Sequence, residues 1–166
     1  MPAAVELARW LILVLLSITL AVASVSDIRD RRIPNWTVLV TAALFVPWIF
    51  VGPDVSILAS LEAALITFLI GFGLYACHIV GAGDSKFLTA TSLFVGLSQL
   101  LPFLVLVALA GGAIAVLSMA MRPVRALVIF QMRGKGDFGR GVPYGVAIAI
   151  ATIAILSWRR FANVLA

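Results

Sequence analysis

The chain has 166 residues, 63% of them hydrophobic and 11% charged, with a formal net charge of +5 and a mean hydropathy of +1.18. So little polar surface cannot cover a water-soluble globule, which excludes a soluble domain and indicates an all-α integral membrane protein. With one Cys and one His, neither an internal disulfide nor a zinc ligand set can be assembled.

A helix needs about 20 apolar residues to cross the hydrocarbon core. Six candidate segments follow one another: Leu7 to Ser26, Trp36 to Gly52, Val55 to Val80, Phe87 to Leu97, Leu100 to Met121 and Val142 to Trp158. They nearly exhaust the chain, which is read as one membrane domain over residues 1–166 with no soluble second domain. After the first segment, Ala21-Val22-Ala23 imitates the cleavage site of a removable signal. The next residues, Asp27 to Arg32, carry three arginines that resist translocation, so the segment is predicted to stay. The fourth segment is short, which leaves a re-entrant element or a short helix buried among the others.

Lys and Arg mark the cytoplasmic side of membrane proteins. If the fourth segment crosses, loops one (Arg29, Arg31, Arg32), three (Lys86) and five (Arg122, Arg125, Arg133, Lys135, Arg140) share one side and hold nine of the twelve basic residues. A re-entrant fourth segment would split that set, so crossing is favoured and both termini are expected outside. The positive charge is then a signal of topology near anionic lipid, not of nucleic-acid binding.

This topology returns the chain to its starting side after two spans. Asp27, at the end of the first segment, and Asp84, before the fourth, are therefore expected at similar depth near the cytoplasmic face. Carboxyls at such positions are costly and usually functional. Two that face each other cannot both ionise comfortably, so the pair shares a proton. The ionised partner can take a proton from a water attacking a peptide carbonyl, while the protonated one hydrogen-bonds the carbonyl oxygen and assists the leaving amine.

The residues around Asp84 read Gly81-Ala82-Gly83-Asp84-Ser85-Lys86, and those around Asp27 read Asp27-Ile28-Arg29-Asp30-Arg31-Arg32-Ile33-Pro34-Asn35. Alone, the first is an ordinary glycine turn at a helix boundary, whose glycines permit unusual backbone angles and close approach. The second alone is a charged loop with a proline opening the next helix. Together, an aspartate seven residues before the proline of Ile-Pro-Asn and a Gly-x-Gly-Asp-x-Lys turn two spans later resemble the type IV prepilin peptidase family over nearly the whole chain. Val142-Pro143-Tyr144-Gly145 is similar to that family's Pro-aromatic-Gly segment.

The resemblance implies a six-helix fold, a catalytic dyad of Asp27 and Asp84, and removal of a basic leader from prepilin-like, membrane-anchored precursors at the inner-membrane surface. Gly81, Gly83 and Lys86 are the candidate substrate-binding residues. No cofactor is expected, and no nucleic-acid partner. The larger bacterial members carry an N-terminal segment with paired cysteines that accompanies N-methylation. Its lack here implies peptidase activity without methyl transfer, as in the short forms that serve tight-adherence (Flp) pili. A different glycine-aspartate intramembrane protease, or a small transporter or assembly scaffold using the carboxylates as proton carriers, are the alternative classes.

The other polar residues carry less. Asp30 is read as a solvated ion-pair partner among three arginines, and Glu62 as a snorkelling or helix-pairing residue near the outer face. His78 is read as structural. Lys86 could act on a carboxyl, pair with an acidic substrate side chain, or anchor the membrane surface. Gly111 and Gly112 are expected to allow close helix packing, and Trp10, Trp36, Trp48 and Trp158 to anchor span ends.

Overall fold

In a computed structural model, the structure describes residues 3–53, 55–120 and 144–165. Among the described residues, six α-helices follow in chain order: α1 (Ala3–Asp30), α2 (Asn35–Val51), α3 (Ile57–Ala76), α4 (Ala82–Val95), α5 (Leu100–Ala120) and α6 (Tyr144–Leu165). A single 3-10 turn, Leu97–Gln99, leads into α5, and no strand occurs among the described residues. The basic fifth loop, with Val142 and Pro143, lies outside the described residues. Helix α1, helix α3 and the run Leu97–Ser118 are long and apolar enough to cross a membrane, while α2 and the Tyr144–Trp158 part of α6 are apolar but shorter.

Helix α1 illustrates how an almost uniformly apolar sequence acquires an inside. Ile12, Leu16, Thr19, Leu20, Ala23 and Asp27 recur at helical spacing and are buried, whereas Leu7, Leu11, Val14, Leu15, Ile18, Val22 and Val25 are exposed. The exposed stripe is as hydrophobic as the buried one, as a lipid-facing helix surface requires. Asp27 thus belongs to the interior stripe, one turn beyond Ala23.

Helix α4 is the innermost element and packs against α2, α3 and α6. Phe87, Leu88, Phe94 and Val95 are buried together with Ser85, Thr91 and Ser92. The hydroxyls of Thr91 and Ser92 are tolerated because they bond back within the helix: Thr91 Oγ1 to the carbonyls of Phe87 (3.1 Å) and Leu88 (3.0 Å), and Ser92 Oγ to that of Thr89 (2.8 Å). The expectation of a short helix buried among the others describes this element. It starts at Ala82 rather than Phe87, so the glycine turn is its first helical turn, and α3 stops at Ala76 rather than running to Val80.

Aromatic packing fixes the end of the bundle remote from Asp84. Phe94 meets Phe45 edge-on at 5.6 Å and Trp48 at 5.9 Å, contacts of about 0.5–1.5 kcal/mol each beyond simple burial. Trp48 is therefore a core residue and not an interfacial anchor, while Trp10, Trp36 and Trp158 are exposed. Arg9 joins the start of α1 to the end of α2 by donating from Nε to the Val51 carbonyl, and it pairs with Glu6 at 2.7 Å.

Candidate active site

The opposite end of the bundle collects the end of α1, the α1–α2 connection, and the first turns of α4 and α6. The connection is held by its own hydrogen bonds. Ser26 Oγ donates to the Arg32 carbonyl at 2.9 Å, the Arg31 N–H to the Asp27 carbonyl at 3.1 Å, and Thr37 Oγ1 to the Pro34 carbonyl at 2.7 Å. Ile33 is buried, and Pro34 sits immediately before α2. Arg31, the residue after α1, has φ 53°, a left-handed conformation that is unusual for a side chain of this size.

Asp27 is buried. Its Oδ2 accepts a 2.7 Å hydrogen bond from the main-chain N–H of Gly145 in the first turn of α6. The first amides of a helix have no partner inside it and carry the positive end of its dipole, so a carboxylate from a neighbouring helix caps them. A Cβ at position 145 would lie 2.9 Å from Asp27 Oδ2 and 3.1 Å from Ile33 Cδ1, which accounts for glycine there.

Asp84 is half-buried in the first turn of α4. Burial first, and then the charge of Asp27, push its carboxyl up to about 6, against a smaller downward pull from the Gly81 N–H. The last contact is half of a capping box, in which the third residue of a helix reaches back to the N-cap amide. The two aspartates thus lie within electrostatic reach of each other, and each caps a helix start. A pair that resists simultaneous ionisation can hold one proton and exchange it with a bound water.

The glycine turn works differently from expectation. Gly81 has φ −71°, and neither it nor Gly83 uses the left-handed region that only glycine favours. What matters is proximity. A Cβ at Gly81 would sit 3.0 Å from Asp84 Oδ2, whereas one at Gly83 would make ordinary contact with Ile33 at 3.4–3.7 Å. Gly83 is thus the point where the first turn of α4 packs against the Ile-Pro-Asn connection.

The remaining candidates stand apart. Lys86 is exposed, as are Asp30, Glu62 and His78, the last in a left-handed turn (φ 59°) after α3. Asp30 makes no salt bridge among the described residues, so only the solvated half of its expected role is seen. Gly111 does permit close packing, since a Cβ there would meet the Tyr144 ring at 2.8 Å, but Gly112 has open space around it. The contacts of Gly145 and Arg31 with Asp27 were not readable beforehand. The Pro-aromatic-Gly pattern pointed at the segment, yet not at its partner 118 residues away.

No curated protein and no solved structure matches the chain. The family model of the type IV leader peptidases matches residues 14–116, which include Asp27, Ile33-Pro34-Asn35 and Gly81 to Lys86. With more than half of the chain matched, this protein belongs to the type IV leader peptidase family.

Proposed function

We propose that this chain is an aspartyl endopeptidase of the inner membrane that removes the basic leader from prepilin-like precursors, with Asp27 and Asp84 as its catalytic dyad. The observation that carries the reading is the placement of these two carboxyls, from α1 and α4, where the charge of one acts on the other. The family membership supports peptidase chemistry, and the apolar helices support a membrane setting.

In this reading the helices form one multi-pass unit of six spans, with the short α4 carried inside the bundle. The dyad then lies near the cytoplasmic face. The precursor's positive leader stays in the cytoplasm and its apolar stem in the bilayer, which brings the scissile bond to the depth of the carboxyls. Gly81 leaves room for the substrate backbone beside Asp84, Gly83 seats that turn against Ile33, and Lys86, exposed on the next turn, is the proposed partner of an acidic substrate side chain. A precursor of an Flp-type pilin is the favoured substrate.

The test is incubation of purified protein in lipid nanodiscs with a panel of prepilin leader–stem peptides. Wild type is expected to cleave at the leader junction, and Asp27→Asn and Asp84→Asn to be inserted but inactive. Cleavage at wild-type rate by either variant, or none of the panel by wild type, would sink the proposal.

A further inference from the structure

A shared proton does not say which aspartate begins as the base. The surroundings of the two differ. Asp27 accepts the first-turn N–H of α6 at 2.7 Å, from a glycine whose amide approaches so closely that a methyl group would collide with the carboxylate. Arg31, held one turn after Asp27 in a left-handed conformation, places its charge where it acts on Asp27. Its Nη1 is withdrawn from water with no hydrogen-bond partner among the described residues. Such an arrangement is costly, and strained or unpaired groups of this kind concentrate at functional sites.

The other described neighbours do not compensate. Helix α2 carries no charged side chain, nor does α6 between Tyr144 and Trp158. Arg29, Asp30, Arg32 and, on α4, Lys86 are exposed. Asp84 has the amide of its own helix and faces the charge of Asp27, while Tyr75 near the end of α3 and His78 just after it are exposed. Both carboxyls lose hydration, but among the described residues Asp27 alone has a second helix start and a guanidinium to favour its charged form.

We propose that Gly145 and Arg31 are positioning residues that assign the roles within the dyad, making Asp27 the general base and Asp84 the general acid. This rests on the aspartyl peptidase reading. The water oxygen bonds to the carbonyl carbon, one water proton passes to Asp27, and the carbonyl oxygen takes the proton of Asp84. On collapse the C–N bond breaks, the amine nitrogen takes the proton from Asp27, and the diol returns one to Asp84. The site ends as it began, and one water has been added across the peptide bond.

The test uses the full chain in nanodiscs, labelled with carboxyl-13C aspartate, the two signals being assigned with Asp27→Asn and Asp84→Asn. In wild type Asp27 is expected to lose its proton at lower pH than Asp84. Glycolic acid incorporated at position 145 by cell-free translation replaces the N–H by oxygen without adding a side chain. That replacement and Arg31→Gln should each narrow or invert the interval, while Arg31→Lys preserves it. On leader peptides, the first two should move the acidic limb of kcat/KM up by about one pH unit, a tenfold loss below the limb, with Arg31→Lys near wild type. Wild type in which Asp84 deprotonates first overturns the assignment, and needs no variant to fold. Unmoved titrations in both altered proteins also overturn it. A wild type that cleaves no leader peptide, but titrates in the expected order and responds to both changes, counts against the peptidase function and not against these roles.

Discussion

Gly71 and Ser85 touch across the α3–α4 interface so closely that a methyl group on Gly71 would strike Ser85 Oγ and come within 3.2 Å of Ser85 Cβ. Ser85 is the neighbour of Asp84, so this contact sets how deeply the acidic turn sits against α3. Overpacking of this kind costs about 1–3 kcal/mol. Gly71→Ala is expected to lower thermal stability and slow cleavage, while Gly73→Ala, with nothing within 4 Å, should change neither. Equal behaviour of the two variants in unfolding and turnover assays would contradict this geometry.

The two glycines before Asp84 should respond unequally. A methyl at Gly81 presses on the Asp84 carboxyl at 3.0 Å, so Gly81→Ala is expected to reduce kcat at least several-fold. Gly83→Ala should keep substantial activity because its methyl meets Ile33 at ordinary distance, and Gly83→Val should fail because the extra bulk must displace the α1–α2 connection. A reversed order in steady-state kinetics would show that substrate approach, not packing on Ile33, limits position 83.

Asp30 provides the internal control for the dyad. It lies three residues past Asp27 but is exposed, whereas Asp27 is buried on the interior stripe of α1. Asp30→Asn is expected to retain most of the wild-type cleavage rate. Loss as deep as that of Asp27→Asn would put the wrong aspartate in the site.

The elevated Asp84 carboxyl makes two linked pH predictions. A folded-state value of about 6, above the ordinary carboxylate range, means that between the two the folded protein binds more protons than the unfolded chain. Stability therefore falls as pH rises through that window, and Asp84→Asn should flatten the decline in Tm. With Asp84 as the proposed acid, its proton is lost over the same range, so kcat/KM should fall as pH rises through about 6. A wild-type Tm that climbs steadily from pH 4 to 6 would refute the elevated value.

Topology can be read chemically. With Cys77 replaced, a cysteine introduced between residues 122 and 141 is expected to react with membrane-impermeant reagents only from the cytoplasmic side. Labelling from the opposite side would invert the orientation or remove the crossing by α4.

What the sequence by itself determined follows from composition and local pattern. Its apolar content required a membrane setting, and the apolar runs located most helix ends to within about four residues, although α4 begins five residues before its run and α6 ends seven beyond its own. The short fourth run allowed either a re-entrant element or a short helix buried among the others. Two aspartates at the polar ends of apolar runs, with the glycine turn and Ile-Pro-Asn, marked the candidate site. The tertiary structure decided what periodicity could not. When lipid-facing and interior surfaces are equally hydrophobic, nothing in α1 separates Leu15 from Leu16, and only packing places one outside and the other inside. The same applies to Trp48, whose position near a span end suggested an interface until Phe94 enclosed it. Glycine carries no label for its purpose either. Steric closeness, rather than backbone freedom, accounts for Gly81 and Gly145, and that depends on a carboxylate brought in by the fold. Gly145 reaches Asp27 across 118 residues because α6 packs against α1, a relationship between helices that no local pattern encodes.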